Sequence, residues 1–195
     1  GLAPEAAFAL TRADAVFATG VRKPDRRFAL ALMAEDGAFI AEIALPDRIH
    51  GLAVSPAEGR AVAFARRPGT FAVAFDPAGV IAPSIFHTPE DRHFYGHGAF
   101  SPDGRLLYAS ENDFDARRGV VGLYDTHNGF ARIGEFPTYG VGPHDLTVTP
   151  DGKFLIAANG GIETHPDFGR TKLNPDHMQP SLALIDAVTG ELVEK

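Results

Sequence analysis

Short apolar, β-prone runs alternate with Gly- and Pro-rich turns along the whole chain, and no stretch shows sustained helical periodicity. The most regular turns are Ser55–Gly59, Ser101–Gly104 and Thr149–Gly152, whose leading hydroxyl residues stand 46 and 48 residues apart. A weaker copy, Thr11–Asp14, precedes them. Pro pre-sets the φ angle of such a turn, Asp accepts hydrogen bonds from the backbone, and Gly adopts a positive φ. The pattern predicts a β-hairpin that recurs in every unit.

A second hairpin follows in each unit, and its turns are Glu35–Gly37, Pro77–Gly79, Asn128–Gly129 and Thr189–Gly190. Two hairpins in each of four units predict sixteen short strands. A repeat of roughly 40–50 residues with four strands is typical of a propeller blade. The expected fold is therefore all-β, a β-propeller portion of four-stranded antiparallel blades in a single domain. The four predicted blades span about residues 5–46, 50–87, 97–138 and 144–195.

His50, His97 and His144 stand 47 residues apart, each just before the apolar run that begins a unit. If the strands of a blade are lettered a to d from the channel outward, the b–c and d–a loops share one face. We therefore expect the three histidines to lie in d–a loops near the channel mouth.

The sequence leaves open how the propeller ring closes. Propellers are closed rings, because an open ring exposes sheet faces and edges. Three solutions are open: four blades close alone, the chain is a portion of a larger propeller, or copies associate through their open edges. We favour the second.

Composition excludes several classes of protein. The formal net charge is −7 and the Lys and Arg residues are scattered, which argues against nucleic-acid binding. No window of 18 residues is apolar and uncharged, so no transmembrane segment is expected. The chain has no cysteine, so disulfides and thiolate chemistry are excluded.

Three long strings of the sequence, at 94–125, 140–174 and 178–192, resemble a bacterial family, the domain-of-unknown-function family 1513. The repeats themselves resemble YVTN and WD40-like repeats. The resemblance implies an exported, periplasmic protein with a twin-arginine signal, encoded near proteins of metal or iron handling. Members of the family are about as long as a seven-bladed ring requires, so the resemblance implies that four blades are part of seven. It implies no particular reaction.

The three histidines are candidate ligands of a divalent metal, His97 and His144 above all. Neutral imidazole suits Zn, Cu, Fe and Ni, and a repeat can direct several rings towards one axis. The alternative is that each ring bonds to a neighbouring blade and fixes a loop. His97 lies four residues before its turn, whereas His50 and His144 lie five before theirs, which favours this alternative.

A long loop after Asn159 predicts a second candidate site. It carries Glu163 and His165, and structureless loops beyond roughly 12–15 residues tend to be functional. The alternative is a folded flap that covers the channel mouth or a neighbouring blade.

The segment that begins with Glu111 and Asn112 is predicted to be the equivalent loop of the preceding blade. Its carboxylates suit Ca²⁺ or Mg²⁺, or a solvated turn paired with Arg117 or Arg118. Arg92, in the predicted loop at residues 87–97 between the second and third units, belongs to a set of side chains able to bind an anionic small molecule.

No GxSxG, P-loop or HExxH motif occurs. The leading hypothesis is therefore a non-catalytic binding protein of a periplasmic metal-related system, whose partner is a small molecule or a periplasmic protein. The second is a metal-dependent enzyme, a hydrolase like lactonases or an oxidoreductase, using His97, His144, Glu111 and Glu163. The third is an interaction module without a pocket.

Overall fold

The structure is a computed structural model that describes residues 16–79, 81–169 and 171–195. These residues form fifteen strands in four antiparallel sheets, and their helical content is two 3-10 turns. No helix of the described residues has the length and apolar character needed to cross a bilayer.

The strands follow chain order within every sheet. The first sheet contains β1 (Val16–Arg22), β2 (Phe28–Ala34) and β3 (Phe39–Leu45). The second contains β4 (Ile49–Val54), β5 (Ala61–Ala65), β6 (Phe71–Phe75) and β7 (Ser84–His87). The third contains β8 (Arg92–Phe100), β9 (Leu106–Asp113), β10 (Arg118–Asp125) and β11 (Ala131–Pro137). The fourth contains β12 (Pro143–Val148), β13 (Phe154–Asn159), β14 (Ser181–Asp186) and β15 (Leu192–Glu194), with the 3-10 turns Pro166–Phe168 and Pro175–His177 between its middle strands.

This architecture confirms the predicted all-β fold of four-stranded antiparallel units. The first unit shows three described strands, because its predicted first strand and the turn Thr11–Asp14 lie outside the described residues. The seven-bladed ring stays a prediction.

The repeated hairpin turns form as their sequences predict. In the third sheet, Ser101 Oγ donates to Asp103 Oδ1 (2.6 Å) and accepts from the backbone N–H of Leu106 (3.0 Å). Gly104 closes this turn with φ +75°. The turn at Thr149 repeats the same bonds. In both turns a side-chain hydroxyl, itself bonded to a carboxylate, pairs with a backbone N–H group that the tight turn would otherwise leave without a partner.

Apolar side chains between neighbouring sheets form the core. The contact between the second and third sheets is aromatic: Phe86 stacks on Phe130 at a centroid distance of 4.8 Å, and Phe94 and Tyr124 lie against them. The first strands β4, β8 and β12 contact one another in turn. These strands are therefore the inner strands of their sheets, and they bring equivalent positions of three sheets together.

Candidate functional site

The three histidines lie within the inner strands, not in the loops ahead of them as predicted. His50 is in β4, His97 is in β8 and His144 is in β12. Each lies where its strand slips in register against the next, between Ile49 and Leu52, between Phe94 and Gly98, and between Pro143 and Asp145. A β-bulge bends a strand and redirects a side chain. All three histidines therefore lie at irregular positions of their strands.

The rings converge. Their centroids lie 5.0 Å apart for His50 and His97, 5.4 Å for His97 and His144, and 6.3 Å for His50 and His144. We call these three residues the histidine triad. His97 lies one residue closer to its turn than His50 and His144 lie to theirs. Its ring nevertheless lies beside the other two rings, because the strand irregularities compensate for this offset.

Two glycines allow β4 and β8 to approach closely at the triad. A Cβ atom on Gly96 would lie 2.6 Å from Cδ2 of His50, and one on Gly51 would collide with the carbonyl oxygen of Gly96. Gly96 also has φ +108°, a conformation that side chains rarely adopt. Glycine directly beside His50 and His97 is a signal for this close packing that the sequence contains and that the histidine spacing alone does not use.

Protonation of His50 and of His97 is disfavoured. Burial, together with the charges of His97 and Arg66, lowers the pKa of His50. Burial also lowers the pKa of His97, although Asp145 opposes the shift. Asp145 Oδ1 lies 3.4 Å from Nδ1 of His97, while Nε2 is buried and has no hydrogen-bond partner in the part of the chain that the structure describes. A neutral His97 protonated on Nδ1 therefore presents an unused lone pair on Nε2.

Glu111 was predicted to lie in a loop, and this prediction is wrong. The residue lies in β9, where its side chain is fully buried. Its carboxylate accepts hydrogen bonds from Tyr124 Oη (2.5 Å) and from Arg132 (2.9 Å). Burial raises the pKa of Glu111, against the opposing effect of Arg132. The carboxylate that sequence reasoning grouped with His97 and His144 thus bonds to the outer strands of its own sheet.

Arg92 belongs to the same ionic network. It lies in β8 rather than in a loop, and its guanidinium contacts Asp113 (3.2 Å) and Glu135 (3.2 Å). Arg118 bridges the same two carboxylates at 2.8 Å each, so the predicted pairing of this acidic segment with Arg118 is confirmed. Burial alone would raise the pKa of Glu135, but hydrogen bonds from Arg132 and Arg92 lower it to about 2.

Asn159 ends β13 and ties neighbouring strands together. Its Nδ2 donates to the carbonyl oxygen of Thr138 (2.8 Å) and to Ser181 Oγ (3.3 Å). Its side chain is buried against Gly140, where a Cβ would lie 2.5 Å from Cγ of Asn159.

Asn112, Glu163 and His165 line one cavity of about 120 Å³ beneath the long loop of the fourth sheet, here called the loop cavity. The structure therefore separates the predicted site residues into the histidine triad, the ionic network and the loop cavity. Sequence reasoning did not assign Asp145 to the triad, because adjacency to His144 does not show that its carboxylate faces His97. It also did not bring together the other residues of the cavity, because strand pairing and the fold of the long loop decide which side chains line it, namely Phe114, Arg117, Val141, Thr164, Phe168 and Leu173.

The fold resembles known structures closely enough to define the class. A hydrazine synthase of Kuenenia stuttgartiensis aligns with a TM-score of 0.59 at 18% identity, over 90% of this chain and 47% of that chain. The chain is a β-propeller protein, and it spans about half the length of that neighbour. Residues 43–195 match the family described as "Protein of unknown function (DUF1513)", and the chain belongs to this family.

A curated relative adds a partial likeness. A 6-phosphogluconolactonase of Formosa agariphila is 40% identical over 60 residues, which cover 30% of this chain and 17% of the relative.

Proposed function

We propose that this protein is a periplasmic binding protein whose ligand is a transition-metal ion held at the histidine triad. The observation that carries the proposal is the convergence of three imidazoles from three consecutive sheets, with centroids 5.0–6.3 Å apart. Two imidazoles on one tetrahedral ion, at metal–nitrogen distances of about 2.0–2.1 Å, have centroids roughly 5 Å apart. The periplasmic location rests on the resemblance of the sequence.

Two features of His97 support metal binding. Its unpartnered Nε2 is the type of atom that coordinates a metal. Asp145 beside Nδ1 matches the carboxylate–histidine pairs that orient metal-binding imidazoles.

Ring rotation is part of the proposal. With the side chains as placed, no group of three or more His, Asp or Glu among the described residues is arranged to hold a metal ion. His50 and His144 are exposed, which leaves their rings room to turn towards Nε2 of His97.

Titration of metal-free protein with Co²⁺ and Zn²⁺ tests this function. We expect one ion per chain, a Co²⁺ visible spectrum typical of nitrogen ligands, and an affinity that falls by at least about tenfold in His97→Ala and in His144→Ala, because an imidazole ligand is lost. His87→Ala is the matched control, because His87 is exposed in β7, outside the triad.

Protons compete for imidazole lone pairs, so affinity should decrease as the pH falls. Because the pKa values of His50 and His97 are lowered, this loss should begin below the ordinary histidine value of about 6.5. Binding that never reaches one ion per chain, or that is unchanged in His97→Ala, contradicts the proposal.

A second candidate function is metal-dependent lactone hydrolysis, favoured by the partial likeness to a lactonase. Glu111 is not its base, because Tyr124 and Arg132 bond to that carboxylate. Asp145 is the carboxylate beside the triad. Hydrolysis of 6-phosphogluconolactone by Zn²⁺-loaded protein above the spontaneous rate, lost in His97→Ala, would establish this activity.

A further inference from the structure

The long loop of the fourth sheet folds back on itself and is held by bonds to its own ends and to the third sheet. Asn174 accepts from the backbone N–H of Glu163 (2.7 Å) and donates to the carbonyl oxygen of Gly161 (2.8 Å). The backbone N–H of Leu173 donates to the carbonyl oxygen of Glu163 (3.0 Å). The loop is therefore a defined roof over the loop cavity.

A buried histidine supports the floor of the cavity. His93 stacks between Tyr95 and Phe114, at centroid distances of 5.9 and 6.1 Å. Burial lowers its pKa, and its Nδ1 donates to a backbone carbonyl, so Nε2 accepts from Nδ2 of Asn112 (3.1 Å). Asn112 Nδ2 also donates to the carbonyl oxygen of Thr164 (3.1 Å). This chain of bonds fixes Thr164 at the cavity wall.

Among the described residues, three polar side chains at the cavity, Thr164, Arg117 and Glu163, are not paired with one another. Thr164 is 6% exposed, and its Oγ1 is buried without a hydrogen-bond partner among the described residues. Arg117 and Glu163 carry opposite charges at the same cavity, and neither forms an ion pair with a described side chain. A buried hydroxyl without a hydrogen-bond partner is destabilising, and a ligand that bonds to it removes that cost.

Apolar groups complete the lining. The ring of His165 meets Phe114 edge-on at 5.0 Å and Phe168 at 6.0 Å, and Val141 and Leu173 also line the cavity. A dry cavity of about 150 Å³ accommodates benzene, so the slightly smaller loop cavity suits a ligand of about five or six non-hydrogen atoms.

We propose that the loop cavity binds a small zwitterion, an amino acid with a short side chain, separately from the metal site. The ligand carboxylate pairs with Arg117 and its ammonium group pairs with Glu163. Thr164 Oγ1 bonds to one of the two polar ends, and the aliphatic part lies against Phe114 and Phe168. Arg117 is exposed, so the ligand enters from its side.

Calorimetric titration of the metal-free protein with L-alanine, propionate and ethylammonium tests the proposal. Alanine should bind saturably, and each of the other two should bind at least about tenfold more weakly, because each lacks one of the two charged groups that pair with Arg117 and Glu163. Equal binding of propionate and alanine, or no saturable binding of alanine, overturns the proposal.

Variants locate the site. Arg117→Gln and Glu163→Gln should each weaken alanine binding at least about tenfold, and Thr164→Val should weaken it severalfold. The matched controls are Arg105→Gln and Glu191→Gln, which change exposed residues outside the cavity. Alanine binding that survives both charge removals overturns the assignment.

Failure of the two proposals can be told apart. His97→Ala should weaken metal binding at least about tenfold and leave alanine binding unchanged, whereas Glu163→Gln should weaken alanine binding at least about tenfold and leave metal binding unchanged. Circular dichroism and the unfolding midpoint of each variant show whether the loss of binding reflects misfolding.

Discussion

Arg132→Leu is expected to lower the free energy of unfolding by about 3–5 kcal/mol, because it removes one partner of a buried ion pair. Glu111 is fully buried, and Arg132 is the cation that donates a hydrogen bond to its carboxylate at 2.9 Å. Tyr124 Oη remains as a neutral donor, which does not balance the charge. Glu135 keeps Arg92 and Arg118 as partners in the variant. The loss of stability is therefore attributed to the unpaired carboxylate of Glu111.

The pH dependence identifies the cause. Burial raises the pKa of Glu111 in the folded protein, and the loss of Arg132 raises it further, because that guanidinium opposes the shift. A carboxyl group with a raised folded pKa favours folding below its unfolded pKa, and this contribution is lost as the pH rises through the folded value. The deficit of Arg132→Leu relative to the unsubstituted protein should therefore be larger at pH 8 than at pH 5.

Urea unfolding at both pH values measures this deficit. Adding Glu111→Gln to Arg132→Leu should recover part of the stability at pH 8, since the double variant has no charge at this position. Arg105→Leu serves as a control, because Arg105 is exposed in the Ser101 turn and should change stability by less than about 0.5 kcal/mol. An Arg132→Leu variant as stable as the unsubstituted protein at pH 8 would contradict the account of Glu111.

The repeated hairpins could be predicted from the sequence because their determinants are local. Ser101, Asp103 and Gly104 lie within four consecutive residues, and their bonds to one another and to Leu106 define the turn. The same local pattern at Thr149 predicts the same geometry. Elements specified within one turn do not depend on how the sheets are arranged.

The placement of Glu111 could not be predicted in this way. An acidic segment next to turn residues is typical of a solvated loop, but Arg92, Arg118 and Arg132 from three other strands neutralise it. These partners are distant in the sequence, and only strand pairing brings them together. The acidic segment around Glu111, whose local sequence predicts a solvated turn or a metal site, is here part of a buried ionic network.

The histidine triad is an intermediate case. The spacing of His50, His97 and His144 predicted a common side of the repeat, and the structure brings their rings together. Their position within bulged inner strands was not predicted, because register slips depend on the pairing of whole strands.

Gly161→Ala is expected to open the roof of the loop cavity. Gly161 has φ +68°, which costs an alanine about 1–2 kcal/mol, and an added Cβ would lie 2.5–2.7 Å from backbone atoms of Gln179. Backbone atoms cannot move aside as the end of a side chain can, so the start of the loop must shift. The bonds that close the loop, from the N–H of Glu163 to Asn174 and from the N–H of Leu173 to Glu163, should then weaken.

Amide hydrogen exchange at Glu163 and Leu173 measures this opening, and their protection should fall at least about tenfold, which corresponds to about 1.4 kcal/mol. Gly169→Ala is the matched control in the same loop: Gly169 also has a positive φ, of +59°, but no atom of the other described residues lies within 4 Å of an added Cβ. Backbone strain at Gly169 should remain local and leave both amides protected. Equal loss of protection in the two variants would show that strain alone opens the loop. Unchanged protection in Gly161→Ala would show that close approach to Gln179 does not hold the roof in place.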